Sequence, residues 1–290
     1  MSKEDLRQRS CMDSTTQSRP VPARPAKSDW ITATAMDKDT LHLWCAYPDD
    51  LRDEEAAQAC IRLLSDEERA RCQRFKFEKN RREYLATHAL ERIALSHHSG
   101  IAPDALRFRF NAYGKPAIDP DCGLRFNLSN SLSLVVCLIS EGAEVGVDVE
   151  SHARAASIAE VGPRMFSPEE LAQLESLPED KKPERAIRLW TLKEAYIKAR
   201  GMGMALPLNE FSVVFEGGGG IRMAMNPAFG DTPDRWRFCV LDHAEHCIAA
   251  MVENRVAPQL LVWETRLLPS APTRVATGSE RWFPVSRGLP

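Results

Sequence analysis

Short alternating segments and longer amphipathic segments follow one another along the chain. The segments 106–110 and 211–215 follow the period of two that is typical of a half-buried β-strand. Apolar residues spaced three and four apart predict helices at 84–95 and 190–199. Further strands are predicted at 125–127, 135–139, 236–240 and 247–252, and a glycine turn at 217–220.

Two helix starts carry a capping box, in which a serine and a glutamate three residues later each bond the other's backbone amide. The first box is Ser65 with Glu68, and the second is Ser167 with Glu170. Pro168 occupies the first helical position of the second box, where a missing amide hydrogen costs nothing. Helices are therefore predicted to begin at residues 66 and 168.

The predicted elements run in the same order in both halves of the chain: helix, strand, hairpin. Corresponding elements are offset by roughly 105 to 115 residues, which indicates a duplication rather than a short repeat. The duplication predicts an α+β fold in which two similar subdomains pack face to face around a cleft, a common place for a ligand. The alternative is that any α+β protein shows such similarities.

Composition divides the chain into four parts. Residues 1–38 are polar and rich in Ser, Arg and Pro, and they are predicted to form a flexible leader. Residues 39–150 and 151–255 are predicted to hold the two subdomains. Residues 256–290 are rich in proline and are predicted to form an irregular tail.

Bulk composition narrows the class of protein. The chain has 290 residues, of which 43% are hydrophobic and 27% charged, as in ordinary soluble globular proteins. Its net charge of −3 lacks the basic excess of a nucleic-acid binder. There is no CxxC pair, no apolar run of membrane-spanning length and no secretory signal. A cytoplasmic protein that binds neither nucleic acid nor membrane is therefore expected.

The segment 145–150 places two carboxylates on one side of a predicted strand. Its three valines share one face, and Asp148 and Glu150 share the other. Neighbouring carboxylates repel each other unless a cation neutralises them, and oxygen ligands suit Mg²⁺. The pair indicates a magnesium site, and the alternative is a solvated polar face of an edge strand.

The predicted helix at 190–199 sets Glu194 and Lys198 one turn apart, on a face beside the apolar stripe. A pair of this kind stabilises a surface helix by only about 0.2–0.5 kcal/mol. An ordinary exposed ion pair is therefore the alternative to a chemical role. Gly201 is predicted to end the helix.

Taken together, the strand and the helix resemble the two signature blocks of the 4′-phosphopantetheinyl transferases. The likeness is to the long single-chain type that activates peptide and polyketide synthetases. The first block, Gly-x-Asp-x-Glu, is met by residues 146–150. The second block, Trp-small-x-Lys-Glu-small-x-x-Lys, is met by residues 190–198.

Other segments extend the resemblance to about residues 40–255. They are the helix entry at 65–75, the Gly-Lys-Pro turn at 113–116, the Phe-Asn-Leu-Ser strand at 126–129 and the stretch 201–208 after the helix. The resemblance implies two subdomains related by a pseudo-twofold, with coenzyme A in the cleft between them.

The resemblance also implies a reaction. A serine of an apo acyl or peptidyl carrier protein attacks the β-phosphate of coenzyme A, and adenosine 3′,5′-bisphosphate leaves. Asp148, Glu150 and Glu194 are expected to hold Mg²⁺, and the metal is expected to hold the pyrophosphate. Glu194, Lys198 and Asp148 are the expected catalytic residues: Glu194 accepts the serine proton, directly or through a water, and Lys198 neutralises or protonates the leaving phosphate.

Contacts to coenzyme A follow from the same resemblance. Arg71 matches a cation on the nucleotide phosphate, and Lys115 is expected against the adenine or its phosphate. The full set of expected contacts is Arg71, Gly114, Lys115, Pro116, Ser129, Asn130 and Lys198.

Two positions depart from the family pattern. Asn130 stands where many relatives carry a histidine that contacts a coenzyme A phosphate, and it brings no charge. Glu83 stands where some relatives have a cation, and Arg81 and Arg82 beside it are candidates to replace that charge.

Two other functions use the same residues. A magnesium-dependent hydrolase of nucleotides would turn over with water alone, whereas a transferase needs a protein serine. A non-catalytic binder of coenzyme A or of a carrier would have no need of the intact acids. The duplicated layout predicts a monomer, because one chain supplies both halves of the cleft. Apolar residues offered for carrier contact, with core packing as the alternative, are Ile158, Val161, Met165 and Phe166.

Overall fold

The computed structural model describes residues 36–216, 220–226, 229–255, 258–267, 273–275 and 283–284. Residues 1–35 of the predicted leader, 217–219 of the predicted glycine turn and most of the predicted tail lie outside these ranges.

The first half of the chain is one strand, three helices and two hairpins. Its elements are β1 (Thr40–Ala46), α1 (Glu54–Leu63), α2 (Asp66–Gln73), α3 (Glu78–Ser99), β2 (Phe108–Phe110), β3 (Pro116–Ile118), β4 (Leu124–Ser131) and β5 (Leu134–Glu141). The second half has the same order. Its elements are β6 (Val145–Ser151), α4 (Ala155–Val161), α5 (Pro168–Glu175), α6 (Lys182–Arg200), β7 (Phe211–Phe215), β8 (Ile221–Met225), β9 (Trp236–His243) and β10 (His246–Glu253).

The strand pairing repeats as well as the element order. The last strand of each half returns to pair antiparallel with the first, β5 with β1 and β10 with β6. The long helix and the strands of the second half begin 103 to 112 residues after their counterparts. The predicted α+β class with two similar subdomains is confirmed, and a chance likeness would not reproduce the pairing.

Two sheets face each other across a shared apolar layer. The larger has the strand order β12 (Thr273–Val275), β11 (Gln259–Glu264), β1, β5, β4, and the smaller has the order β13 (Phe283–Pro284), β9, β10, β6. Side chains from both sheets, such as Leu43, Val136, Val147 and Ile248, form the layer between them. Two further clusters lie on the outer faces, one under α3 and one under α6. Each long helix therefore covers the outside of one sheet.

Both predicted capping boxes are present, at Ser65 and Ser167, and both predicted helix starts are correct. Each capping glutamate also binds a buried cation from the long helix of its own half. Glu68 accepts from Arg92 at 2.9 and 3.0 Å, and Glu170 accepts from Lys193 with both oxygens at 2.7 Å. The duplication thus extends to matching buried ion pairs.

These cations reach the backbone beyond the long helices. Arg92 donates to the carbonyl oxygen of Leu106, just before β2, and Lys193 donates to that of Phe211 at the start of β7. Burial lowers the pKa of Lys193 to about 8, against the opposing attraction of Glu170. Each ion pair ties a capping box, a long helix and a small hairpin together.

The predicted irregular tail contains a strand, β11 (Gln259–Glu264), which pairs in parallel with β1. Leu260 and Val262 of β11 are buried in the layer between the sheets. Leu260 and Val262 alternate with more exposed residues along β11, but the high proline content of residues 256–290 favours an irregular segment over a strand. Two short strands, β12 (Thr273–Val275) and β13 (Phe283–Pro284), add to the sheet edges.

The predicted subdomain boundary follows residue 150, yet β6 pairs with β10 and belongs to the smaller sheet. The boundaries at residues 38, 150 and 255 stay predictions. Of the helices in the described part of the chain, none combines the length and apolar composition that a membrane crossing requires.

Candidate active site

The backbones of β6 and α6 are in direct contact, because Gly146 has no side chain to keep them apart. A Cβ atom on Gly146 would overlap the carbonyl oxygen of Ala195 and the backbone nitrogen of Ala199. The glycine of the first signature block is therefore explained by close approach. This approach sets Glu194 and Lys198 of the helix beside Asp148 of the strand.

Asp148, Ser129 and Lys198 form a closed triangle at the junction of the two halves. Lys198 Nζ donates to Asp148 Oδ1 and to the Ser129 hydroxyl, both at 2.7 Å. The Ser129 hydroxyl donates to the same Asp148 oxygen at 2.9 Å and accepts from the Val149 amide at 3.2 Å. Strand β4 of the first half and β6 and α6 of the second thus meet at one carboxylate.

Glu150 is held by two donors. Arg154 Nη1 lies 2.7 and 2.6 Å from its two oxygens, and Trp190 Nε1 donates to it at 3.1 Å. Burial and the neighbouring charge of Asp148 raise the pKa of Glu150, although Arg154 opposes the shift. Asp148 and Glu150 are 5% and 6% exposed, so they are not a solvated polar face.

Glu194 lies half-buried on α6. Burial, followed by the charges of Asp148 and Glu150, raises its pKa, while Lys198 opposes the rise. The negative charges of the three carboxylates therefore repel one another. Asp148 forms an ion pair with Lys198, and Glu150 forms one with Arg154. The alternative of a simple exposed ion pair is excluded, because Lys198 bonds Asp148 and Ser129 rather than Glu194.

One buried oxygen atom of these three carboxylates makes no hydrogen bond to the described part of the protein. Asp148 Oδ2 is buried and has no hydrogen-bond partner among the described residues. Buried polar atoms are almost always paired, and a missing ion is one reason for an exception. A buried carboxylate oxygen beside two further carboxylates fits Mg²⁺, which prefers oxygen ligands and keeps places for substrate phosphate.

A second acidic cluster lies near α2 and α3. Glu68, His88 and Glu91 are the one trio in the described part of the chain whose possible metal-binding atoms all fall within 4.8 Å of one another. The Glu68 oxygens already accept from Arg92 and from the Ser65 amide. The Glu68 oxygens of this cluster are therefore already bonded, whereas Asp148 Oδ2 has no partner among the described residues.

A cavity of about 500 Å³ opens where β4 ends against α2 and α3. We call it the α2–α3 pocket; its lining is Arg71, Phe75, Asn80, Glu83, Tyr84, Thr87, His88, Asn130 and Leu132. The guanidinium of Arg71 lies 5.8 Å from the centre of the Tyr84 ring. Two of the expected coenzyme A contacts, Arg71 and Asn130, are thus brought together.

Lys115 has different surroundings. Its ammonium group donates to Glu144 at 2.6 Å, to the Val145 carbonyl at 3.1 Å and to the Ala199 carbonyl at 2.9 Å. All three of its hydrogens are used, and Val145 is at the opposite end of β6 from Glu150. Gly114 and Pro116 stay with Lys115 in the turn that leads into β3. The structure therefore does not bring this turn to the carboxylates.

A second cavity of about 510 Å³ lies beside that turn. Its cations are committed to acids: Lys115 to Glu144, Arg200 to Asp231, and Arg125 to Asp121. Cations neutralised in this way are poorly placed to hold a phosphate.

Comparison with known proteins agrees with the geometry. Residues 144–251 match the family model of the 4′-phosphopantetheinyl transferase superfamily, and residues 52–142 match that of the 4′-phosphopantetheinyl transferase N-terminal region. The chain is 32% identical over 216 residues to the 4′-phosphopantetheinyl transferase HetI of a Nostoc species, over 73% of this chain and 87% of the relative. The chain belongs to the 4′-phosphopantetheinyl transferase superfamily.

A second relative is the 4′-phosphopantetheinyl transferase Sfp of Bacillus subtilis, 30% identical over 173 residues, or 60% of this chain and 76% of the relative. Among solved structures, a holo-(acyl-carrier-protein) synthase of Bacillus anthracis in complex with coenzyme A matches with a TM-score of 0.34 and 18% identity, over 39% of this chain and 96% of that one. The assignment to the transferase family rests on the sequence matches.

Sequence reasoning missed two cations of this transferase. Arg154 follows Glu150 by four residues, a spacing that pairs side chains on a helix and that here bridges a strand and the turn after it. Lys193 is a fixed position of the second block whose role the sequence does not show, and it is the buried partner of Glu170. Its place in an apolar stretch of α6 was the available signal.

The apolar residues offered for carrier contact divide into two groups. Ile158 and Phe166 are buried in the cluster under α6, which is the core-packing alternative. Val161 and Met165 are 52% and 39% exposed, so these two are open to a partner.

Proposed function

We propose that the chain transfers the 4′-phosphopantetheine arm of coenzyme A to a serine of an apo acyl or peptidyl carrier protein, in a magnesium-dependent reaction that releases adenosine 3′,5′-bisphosphate. The observation that carries the proposal is the meeting of Asp148, Ser129 and Lys198, with a buried oxygen of Asp148 left without a partner. Glu150 and Glu194 complete an acidic site beside a cation.

In this proposal Asp148, Glu150 and Glu194 hold the metal ion. When bound, Mg²⁺ polarises the pyrophosphate and offsets the negative charge of the three acids. Phosphoryl transfer depends mainly on positioning and on stabilising charge. The contact of α6 with β6 at Gly146 provides the positioning, because it fixes the helix residues against the strand residues.

The protein's own groups then handle one proton and one departing oxygen. The serine oxygen forms a bond to the β-phosphorus, and the bond from that phosphorus to the bridging oxygen breaks. Glu194 lies within the acidic group with a raised pKa, which suits a carboxylate that accepts the serine proton. Lys198 is the cation next to Asp148, and it neutralises or protonates the oxygen that leaves.

We further propose that coenzyme A lies with its pyrophosphate near Ser129 and its nucleotide end in the α2–α3 pocket, where Arg71 supplies positive charge. The protein is proposed to be a cytoplasmic monomer. The cysteines among the described residues are free, as in a reducing compartment, and one chain supplies both sides of the site. Light scattering of the purified protein near 32.5 kDa would support the monomer.

The decisive experiment is intact mass spectrometry of an apo carrier protein incubated with the enzyme, coenzyme A and Mg²⁺. The expected result is a carrier that gains one phosphopantetheine, and no gain in EDTA until Mg²⁺ is restored. Asp148→Asn is expected to slow the gain by about 10²–10³-fold, and Asp180→Asn, at an exposed position, serves as the matched control. A folded enzyme that modifies none of several carriers would contradict the proposal.

The same reaction mixtures separate the transferase from a hydrolase. Release of adenosine 3′,5′-bisphosphate is expected to require the carrier. Release at an unchanged rate in its absence would identify water as the acceptor.

A further inference from the structure

Glu83 of α3 and Asn130 of β4 are in direct contact on the wall of the α2–α3 pocket. Asn130 Nδ2 donates a hydrogen bond to Glu83 Oε1 at 3.0 Å. The two positions that depart from the family pattern are therefore physically linked. The amide holds the carboxylate at the edge of the cavity.

The arginines beside Glu83 do not replace the missing cation. Arg82 pairs with Glu78 and Asp49, and Arg81 is exposed. Among the described residues, no ion pair with Glu83 is formed. In the described part of the chain Glu83 thus places a carboxylate without a salt-bridge partner on this wall, although the charge of Lys79 one turn away on α3 acts on it, and the positive charge of Arg71 sits over Tyr84.

The position of this wall relates it to one part of the donor molecule. Asn130 directly follows Ser129, whose hydroxyl contacts Lys198 and Asp148. Consecutive Cα atoms are about 3.8 Å apart, so the wall lies one residue along β4 from the place proposed for the pyrophosphate, although the side chains of Ser129 and Asn130 point to opposite faces of the strand. The ribose is the next group of coenzyme A beyond the pyrophosphate on the nucleotide side.

A carboxylate and a phosphate repel each other, whereas a carboxylate accepts hydrogen bonds from ribose hydroxyls. Dinucleotide-binding proteins use this difference, with an acid for a free ribose hydroxyl and an arginine for a ribose phosphate. We propose that Glu83, positioned by Asn130, reads the ribose of the donor and makes this enzyme accept coenzyme A that lacks the 3′-phosphate. This inference rests on the proposed transferase function.

The test compares two donors, coenzyme A and 3′-dephospho-coenzyme A, by kcat/KM for modification of one carrier. The wild-type enzyme is expected to use the two donors with values within about tenfold of each other. Glu83→Gln keeps the shape and can still accept from Asn130, but it removes the charge. It is expected to raise the ratio of the coenzyme A value to the dephospho value about tenfold.

Glu78→Gln is the matched control, because it removes the same charge from the same helix outside the pocket, where Glu78 binds Arg82. Its donor ratio is expected to equal that of the wild type. The inference is overturned if the wild type prefers coenzyme A by more than about tenfold, or if Glu83→Gln moves the ratio by less than about threefold.

A binding measurement on the wild-type protein tests the same inference without any variant, in case Glu83→Gln does not fold. Wild-type protein is expected to bind adenosine 5′-phosphate and adenosine 3′,5′-bisphosphate with dissociation constants within about tenfold of each other, and a larger preference for the bisphosphate contradicts the inference. If neither donor supports modification of any carrier, the proposed function itself has failed. A carrier modified from coenzyme A alone leaves that function intact and removes only the role of Glu83.

Discussion

Gly146 and Ala195 are in backbone contact, and this contact sets the distance between the two signature blocks. A side chain on Gly146 would occupy the space of the Ala195 carbonyl oxygen. The acidic strand and the acidic helix are separated by many residues in the sequence, yet they act as one unit because their backbones touch. The glycine is therefore as much a part of the site as the carboxylates.

Gly146→Ala should displace α6 from β6. Overpacking of a core typically costs about 1–3 kcal/mol, and a clash with backbone is expected to reach about 3 kcal/mol. Chemical denaturation measures this loss, and kcat/KM should fall by about 100-fold, because small misplacements have that effect. Gly220→Ala is the control, since its Cβ would meet only the Glu216 side chain. Equal stability of both variants would refute the contact.

Asp148→Asn should greatly slow the transfer reaction while the fold persists. Asp148 Oδ1 accepts from Lys198 and Ser129, and an amide oxygen can keep both bonds while the charge is lost. A drop of about 10²–10³ in kcat is expected, on the scale of lost electrostatic stabilisation in other active sites. Thermal unfolding of the variant should stay within a few degrees of the wild type. Near-normal kcat would remove Asp148 from the mechanism.

Lys193 and Glu170 should be strongly coupled. Both are almost fully buried, and removing one partner of such a pair leaves an uncompensated charge, at a cost of about 3–5 kcal/mol. Lys193→Met and Glu170→Gln are each expected to destabilise by this amount. The double variant should lose clearly less than the sum, and urea unfolding of all four proteins measures the coupling. Additive losses would show that the pair has no net interaction.

The Glu68–Arg92 pair should contribute to stability only above acidic pH. Burial raises the pKa of Glu68, but hydrogen bonds from Arg92 and the Ser65 amide outweigh it, so the pKa lies below its ordinary 4.5. The unfolded chain therefore binds the proton more tightly, and stability is lost as pH falls below about 4.5.

Glu68→Gln tests this relationship. It is expected to cost about 1.5–3 kcal/mol at pH 7, the range for hydrogen bonds to charged groups. The difference from the wild type should narrow as pH falls below about 4.5. Denaturation at several pH values measures it, and a difference that is the same at pH 7 and pH 3.5 would contradict the assignment.

Local patterns predicted local structure well. The capping boxes gave the starts of α2 and α5, and the predicted strand 211–215 has the same bounds as β7. The predicted helices 84–95 and 190–199 lie inside α3 and α6, which begin earlier. A helix start that lacks a serine cap or a proline could not be located from the sequence. Helix α3 is an example, because its N-cap residue Phe77 makes no side-chain hydrogen bond to the helix.

Long-range pairing was less visible in the sequence. The family blocks identified Asp148, Glu150, Glu194 and Lys198 as one group. In the structure Lys198 forms an ion pair with Asp148, and the charge of Asp148 acts on Glu150 and Glu194. No local sequence pattern shows that the Lys115 ammonium group donates its hydrogen bonds to Glu144 and to two backbone carbonyl groups. The same limit applies to Arg154, since a cation in a turn has many possible partners.

Strands β6 and β11 have a consequence for how the polypeptide acquires its structure during synthesis. β6 follows the β4–β5 hairpin but pairs with β10, and β11 follows the β9–β10 hairpin but pairs with β1. While the ribosome is still making the later segments, one edge of β1 has no strand beside it and β6 has no partner. Contacts between such distant segments slow folding, and unpaired edges promote association between chains. Nascent chains of this protein should therefore depend on chaperone protection until residues 259–264 have emerged.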